Sequence, residues 1–438
     1  MRPQGQGIGD AIARFLNNFS KPAKLLVAVS GGGDSIGLLM ALDAALQSGR
    51  HPGFTVAACT VDHALRDASA EEARWVADVC ARRGIAHVTR RWAGEKPARG
   101  IQAAARAVRH ALLAEAARAI GADAILTAHN RDDRRETVAM RAARSTEGAG
   151  LAGIAPATLL FRSIWVLRPL LGVSREEIRA YLKGIDQPWL EDPSNENRAF
   201  ERVRIRKDGA DELLDKTAQS AAAVRIRHAG EGAAYLARHM QVFDASLAQL
   251  PSASIAALEE RANWQAFLSV VAVLGGREHR LERAAADRLA AFLRGGEPTR
   301  MTAGRVAFDR RREGLFMYRE MRGIGALEIA AGGEAVWDGR WRIGNHGSSA
   351  LFVDADGGTA TSRWDGVPAG VVARAFRTRP RLRSGSGEPV TSGFSAEAVL
   401  APFDSHLPLF DLPLANAIAG LFGLPVFSEP PAMMAESD

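Results

Sequence analysis

Cysteine is almost absent from this 438-residue chain, which has two, Cys59 and Cys80. They are too few and too far apart for a disulfide framework, and neither belongs to a Cys-x-x-Cys metal or redox pair. No apolar run is long enough to span a membrane. The opening stretch, MRPQGQGIGDAIARFLNNF, lacks the basic start and apolar core of a secretory signal and reads as a short amphipathic helix. The expectation is a cytoplasmic protein with no membrane partner. A Walker A loop is missing too. The glycine-rich turn Ser30-Gly31-Gly32-Gly33-Asp34-Ser35 carries Asp34 where that pattern requires lysine.

The composition is that of an ordinary globular protein, 47% hydrophobic and 24% charged, and the length suits two or three domains. Net charge is +6, unevenly distributed: 31 basic against 23 acidic residues in 1–210, and 25 against 27 after it. Most of the surplus is arginine, which suits bidentate phosphate contacts, although a GC-rich genome would give the same bias.

The turn at Ser30–Ser35 organises the chain. Leu25 to Val29 before it reads as a buried strand, and Leu38, Leu39, Leu42 and Leu46 after it have helical spacing. Glycines between a strand and a helix let backbone N–H groups approach a phosphate, and the helix N-terminus adds partial positive charge. Ser30 and Ser35 can add hydroxyl donors. A carboxylate beside phosphates needs a cation between them, so Asp34 points to Mg²⁺. Asp34 and Ser35 would equally serve as helix caps.

Strand and helix patterns alternate through residues 1–135, which predicts an α/β fold with a doubly wound parallel sheet. In such sheets ligands gather at strand carboxyl ends. Ser30–Asp34, Asp62-His63 and His129-Asn130 all fall at such ends, so one crevice is expected to collect them. A helix from about residue 131 places His129, Asp133 and Glu136 at offsets of four and three, a plausible metal or amine site, while Asp132 and Asp133 also suit a capped first turn. Arg106 and Arg109 share one face of a long helix and suit a triphosphate or an RNA backbone, or else a solvated face. Ser174 and Glu177 form a capping-box pattern. Arg202, Arg204, Arg206 and Lys207 form a dense basic cluster, usually a solvated face but, after a polar loop, suited to clamp a polyanion.

The loop Ser-Gly-Gly-x-Asp-Ser resembles the pyrophosphate loop of the N-type ATP pyrophosphatases, the PP-loop superfamily. Further matches follow in order: Val61-Asp62-His63-Ala64-Leu65-Arg66; Ala105-Arg106-Ala107-Val108-Arg109-His110; Thr127-Ala128-His129 with Asp132-Asp133 and Glu136-Thr137; Gly150-Leu151-Ala152-Gly153; Arg168-Pro169-Leu170-Leu171; Asp192-Pro193-Ser194-Asn195; and Arg202-x-Arg204-Ile205-Arg206. Together, over roughly residues 20–210, they resemble the tRNA(Ile)-lysidine synthetases. Three positions depart from that family's pattern: Asn130 stands for a histidine, Arg134 for a glutamine and Val203 for an asparagine.

The resemblance implies an ATP-dependent ligase that joins lysine to the wobble cytidine of a CAU-anticodon tRNA(Ile). Ser30, Gly31, Gly32, Gly33, Asp34, Ser35, Asp62 and His63 would bind ATP. Asp34 and Asp133 would hold Mg²⁺, and Arg106, Arg109 and Arg202 would join them in catalysis. His129, Asp133 and Glu136 would bind lysine, and Arg202, Arg204 and Arg206 the tRNA. The oligomeric state is not set by the sequence, and a homodimer stands as one expectation. Nearest in chemistry would be a sulfur-transferring relative, which generally needs more cysteine than this chain has.

Beyond the catalytic region (1–210), residues 211–315 are Ala/Leu/Arg-rich and read as a helical domain, which the resemblance implies would bind tRNA. Residues 316–428 read as a small α+β domain, with a hairpin around Asp338-Gly339 and strands at 350–353 and 371–376. Residues 429–438 read as a disordered tail.

Overall fold

The computed structural model describes residues 7–65, 69–143, 149–191, 210–295, 297, 299–355 and 364–433. The chain forms two compact units, Met1–Arg225 with Ser428–Asp438, and Ile226–Phe427.

In the first unit the elements are α1 (Ile8–Asn17), β1 (Lys24–Ala28), α2 (Gly33–Gln47), β2 (Thr55–Asp62), α3 (Ser69–Arg82), β3 (Ala86–Arg91), α4 (Ile101–Ile120), β4 (Ala124–Leu126), α5 (Arg131–Ala142), β5 (Ala157–Leu160), β6 (Ile164–Leu167) and α6 (Arg175–Gly184). Six strands of this unit lie in the order β5-β6-β4-β1-β2-β3. All neighbours are parallel except the antiparallel pair β5 and β6. Leu25, Leu26 and Val27 have no exposed surface, as expected of a parallel strand covered on both faces. From β1 the chain winds out through β2 and β3, then returns to β4 on the other side of β1. The order therefore reverses beside β1, and the crevice for a ligand opens at its carboxyl end.

Helix packing holds that crevice in shape. On one side α1, α2 and α6 pack together. A Cβ on Gly37 of α2 would run into the Ile178 side chain of α6, so only glycine permits this approach. Leu113, Ala114, Ala116 and Ala117 of α4 join Leu26, Cys59, Ile125 and Val166 in one core cluster. Two capping boxes start the helices nearest the crevice: Asn130 with Asp133 at α5, and Ser174 with Glu177 at α6. The second is the one expected from the sequence.

Several expectations need correction. Strand β5 was not foreseen. It joins β6 through Phe161 and Arg162, both with positive φ (51° and 54°), a turn without the usual glycine or asparagine signal. Residues 371–376, read as a strand, belong to the helix Ala369–Phe376. Its Val371, Val372 and Ala375 share one buried face, and that packing overrides the β-branched pair. The stretch 211–315 is not purely helical. Besides the helices Arg261–Leu274 and Arg283–Arg294 it supplies the strands Gln241–Phe243, Leu247–Pro251, Arg300–Ala303 and Val306–Arg310, which with Gly314–Arg319 form a five-stranded sheet. Gly314–Arg319 is buried on both faces, so it lacks the alternation that marks a half-exposed strand. The start of the expected disordered tail is ordered: Met433 N–H donates to Asn18 C=O, and Ala432 bridges Phe19. Among the described residues, no helix is long and apolar enough to cross a membrane.

The hairpin Glu334–Trp337 and Trp341–Asn345 turns at Asp338-Gly339 as expected, with φ of 53° and 70°. Asp338 has a second task. Its carboxylate, 1% exposed, accepts from Arg319 Nε (3.0 Å), Arg340 Nε (2.6 Å) and Arg305. Asp338→Asn keeps a residue suited to the turn but leaves three guanidiniums without their counter-charge. The expected cost is about 3–5 kcal/mol, read as a lower urea midpoint in the fluorescence of the neighbouring Trp337 and Trp341.

Candidate active site

The turn after β1 is built mainly from its own residues. Ser30 N–H donates to Ser35 Oγ (3.2 Å), and the Ser35 hydroxyl donates to Gly32 C=O (2.9 Å). Gly31 has φ of +89°, a left-handed conformation that glycine adopts without strain. Among the described residues, no side chain caps the first turn of α2, so its N–H groups are left for an anion. Asp34 and Ser35 are not the caps of this helix.

A strap that the sequence did not reveal lies against the loop. Leu190 N–H donates to Gly31 C=O (2.9 Å), and Leu190 forms a parallel bridge with Gly32. A Cβ on Gly31 would sit 2.7 Å from Leu190 Cδ1, and one on Gly33 would meet the Trp189 ring at 3.4 Å. Trp189 Nε1 in turn donates to Glu191 (3.0 Å). The only sequence signal was position, since these residues immediately precede Asp192-Pro193-Ser194-Asn195.

The three strand ends converge as expected. Ser30, Gly32, Gly33, Asp34 and Ser35 line a cavity of about 840 Å³ together with Asp62 and His63 after β2, and His129 and Asp133 after β4. Arg109 of α4 lines it too. Gly31, Arg106 and Glu136 do not. Gly31 is covered by Leu190, Arg106 acts through its charge on Arg109 and His129, and Glu136 lies 3.9 Å from Arg175. Arg202, Arg204 and Arg206 lie outside the described residues, as do Val203 and Asp192–Asn195.

One wall is cationic. Arg168 lines the cavity with Arg109, and its Nη1 is held by Ala155 C=O (2.8 Å) and Thr158 Oγ1 (2.9 Å). Burial, then the charges of Arg106 and Arg109, push the Arg168 guanidinium down to about 10. Burial and Arg106 likewise lower Arg109. Clustered buried arginines suit a polyanion. His129 beside them is pushed down to about 3, by burial and then by Arg168, Arg109 and Arg106. Its ring is therefore neutral at physiological pH, hydrogen-bonded through Nδ1 to Thr127 Oγ1 (3.0 Å). Burial and Arg109 also lower His63.

Asp62 is mainly a shaping residue. Burial raises its carboxyl, but the Ser69 hydroxyl, the Ala64 N–H (2.7 Å) and Arg91 outweigh that and hold it below the usual range. The tight turn that results, with Ala64 at φ 49°, presents His63 to the cavity.

A second wall is acidic. Asp34, Asp133 and Glu136 surround one guanidinium, that of Arg175 on α6. Arg175 Nε donates to Asp34 Oδ2 (3.2 Å) and Nη2 to Asp133 Oδ1 (2.8 Å), with Nη1 3.9 Å from Glu136 Oε1. Burial raises the Asp34 carboxyl and Asp133 adds repulsion, against the pull of Arg175. The backbone holds Arg175 in place, since its N–H donates to Asp132 Oδ2 (2.7 Å). Among the described residues, no group of three or more His, Cys, Asp or Glu forms a ready metal cage. Two carboxylates sharing one cation do fit Mg²⁺, which takes one or two carboxylates and completes its shell with water and substrate phosphates.

Two of the three departures from the family pattern have structural reasons. Asn130 is fully buried and is the N-cap of α5, its side chain accepting from Asp133 N–H (3.1 Å). Arg134 and Arg135 both pair with Asp215 of the helix Ala210–His239.

The PP-loop domain family matches residues 7–213. The chain is similar to a tRNA(Ile)-lysidine synthase of Rhizobium meliloti (strain 1021), 44% identical over 437 residues and covering 96% of both chains. The chain belongs to the tRNA(Ile)-lysidine synthase family. The tRNA(Ile)-lysidine synthase of Mesorhizobium japonicum is 38% identical over 94% of this chain and 95% of that one. Among solved structures, a U34-tRNA thiolase of Methanococcus maripaludis with its [4Fe-4S] cluster aligns at a TM-score of 0.40 and 14% identity, over 49% of this chain and 77% of that chain, too loosely to bear on function.

Membership of the lysidine synthase family makes the chain an ATP-dependent ligase, and its thiols fit no sulfur chemistry. Cys59 lines the cavity but is 1% exposed, and burial pushes it up to about 11, so it stays a thiol; Cys80 is equally buried and raised.

His129 makes stability depend on pH. Its unfolded pKa is near 6.5 and its folded one about 3, so the unfolded chain alone takes up the proton between those values. Stability is complete above pH 6.5 and falls as pH drops toward 3, by about 2 kcal/mol at pH 5 from this group. His129→Gln should remove that part of the acid sensitivity, seen as a flatter urea midpoint between pH 7 and 5.

Proposed function

We propose that this chain is a cytoplasmic enzyme that joins lysine to C2 of the wobble cytidine in the CAU anticodon of tRNA(Ile), using ATP. The products are lysidine-containing tRNA, AMP and pyrophosphate. One observation carries this reading: a single guanidinium spans Asp34 of the ATP loop and both Asp133 and Glu136 of α5. The group that serves the triphosphate and the groups that suit an amine thus share one centre, as adenylation followed by amine attack requires.

In the first step cytidine O2 attacks the α-phosphorus of ATP, and the bond to the bridging oxygen of pyrophosphate breaks. Ser30, Ser35 and the N–H groups at the start of α2 would receive the leaving pyrophosphate. Arg109 and Arg168, with the charge of Arg106 added, would stabilise the adenylate. Asp34 and Asp133 would hold Mg²⁺, which when bound offsets the charge developing on the phosphates. In the second step the lysine ε-nitrogen attacks C2, the C2–O bond to AMP breaks, and the protons of the amine pass to nearby carboxylates. Asp133 and Glu136 would bind the ammonium group. His129, neutral and lining the same cavity as Asp133, would help orient the amine without adding a competing positive charge. Arg202, Arg204 and Arg206 are proposed to contact the tRNA.

Incubation with ATP, Mg²⁺, lysine and the CAU-anticodon tRNA should add the mass of lysine less water to the tRNA. AMP formation indifferent to tRNA would contradict the reading. Asp34→Ala should abolish pyrophosphate release while tRNA binding survives in a gel-shift assay.

Changing Arg202 and Arg204 to Glu should weaken tRNA binding. It should also reduce the slope of log K against log salt by about one for each phosphate that is no longer neutralised. The slope is measured by filter binding between about 50 and 200 mM salt.

A further inference from the structure

The proposed reaction brings two cations to the acidic wall, a divalent metal and an ammonium group, yet a third already stands there. Arg175 is the first residue of α6, and its guanidinium reaches Asp34, Asp133 and Glu136 through three different nitrogens. Asp133 Oδ2 accepts from Asn130 N–H (3.1 Å), while Oδ1 faces Arg175 at 2.8 Å. A metal drawing on Asp133 without dismantling the start of α5 must therefore take the oxygen that Arg175 now holds. Arg175 also holds one oxygen of Asp34, whose Oδ2 accepts from it. A guanidinium and a divalent ion on the same oxygens repel each other, so each weakens the hold of the other.

Resting on the function proposed above, we infer that Arg175 is a placeholder cation that bridges the three carboxylates until substrates arrive and then yields to the incoming metal and amine. The fold gives it somewhere to go. Its backbone stays pinned by Asp132, its side chain lines the cavity, and Arg179, one helical turn further on, lines the same cavity. A triphosphate entering beside the Ser30–Ser35 loop offers Arg175 phosphate oxygens in exchange for carboxylates. Nucleotide entry and opening of the cation site then become one event. The acidic wall is not left to collect metal ions or stray amines in the empty enzyme.

The test is Mn²⁺ binding to the full chain without nucleotide, lysine or tRNA, followed by electron paramagnetic resonance. Wild type should bind Mn²⁺ weakly. Arg175→Gln should bind it about tenfold more tightly or better, as expected when a unit positive charge is removed from contact distance. Arg175→Lys, whose single ammonium cannot span all three carboxylates, should show a smaller gain, and it serves as the readout if the glutamine variant does not fold. Adding Asp34→Asn to Arg175→Gln should abolish the gain. A purely structural arginine predicts no gain in either variant, and that result overturns the placeholder role. A gain that survives Asp34→Asn also overturns it, because the metal would then sit elsewhere. Neither overturning result touches the lysine-transfer assay on the wild type, so the two proposals fail separately.

Discussion

Asp133 is a single carboxylate that belongs to two helices. One oxygen accepts from the Asn130 backbone and closes the capping box of α5, and the other accepts from Arg175 at the start of α6. Much of the site depends on this double use. It sets where α5 begins, and hence that Glu136, one turn on, comes within 3.9 Å of the same arginine. It joins the strand end after β4 to the helix that packs on α2 through Gly37, the helix that opens at the ATP loop. The Arg175 N–H on Asp132, and the Arg131 N–H on Val173 C=O, tighten the same seam. The acidic wall is thus tied to the loop through helix starts, where hydrogen-bond geometry is stricter than in side-chain packing.

The crevice separates charge by origin. Its cationic wall comes from α4 and the end of β6, its acidic wall from α2 and α5. Arginines gathered side by side are unfavourable when buried, and the depressed Arg109 and Arg168 record that cost. Such an arrangement is sustained where an anion is the intended guest. The same field, with burial, keeps His129 neutral, so it adds no positive charge to the cavity that it lines. One cationic cluster can therefore serve both halves of a reaction, receiving phosphate directly and holding a neighbouring base uncharged.

The sequence showed the parts of this site that local rules determine. The Ser30–Ser35 loop was legible because glycines between a buried strand and a helix leave few conformations open. The meeting of three strand ends followed from the alternation of elements. The Ser174–Glu177 capping box was legible because its partners are three residues apart. Arg175 was not, since its partners Asp34 and Asp133 lie 141 and 42 residues away and nothing at position 175 itself marks a contact. The Leu190 strap escaped notice for the same reason. Asn130 looked like a defect in a familiar pattern until the structure showed it buried as an N-cap, a task for which asparagine is well suited. Val371–Phe376 was misread because packing overrode local preference, and the Phe161-Arg162 turn carries no glycine or asparagine to announce it.

A loop that splits ATP does not decide what attacks the activated substrate; the side chains facing it do. A sulfur nucleophile needs a thiolate, which requires either a positive field at an accessible cysteine or a metal to hold it. Here the arginines stand near His129, while Cys59 is closed off in the core at the base of the cavity and its thiol is raised rather than lowered. An amine nucleophile needs the reverse: carboxylates to collect it as ammonium, and no competing cation beside them at the moment of attack. In the proposed function Asp133 and Glu136 would supply the first. The second would be met by a neutral His129 and by an Arg175 that withdraws toward phosphate. In the proposed function the selection of nitrogen over sulfur would therefore lie in how charge is arranged along α2, α4, α5 and the end of β6, beside a loop that is indifferent to the outcome.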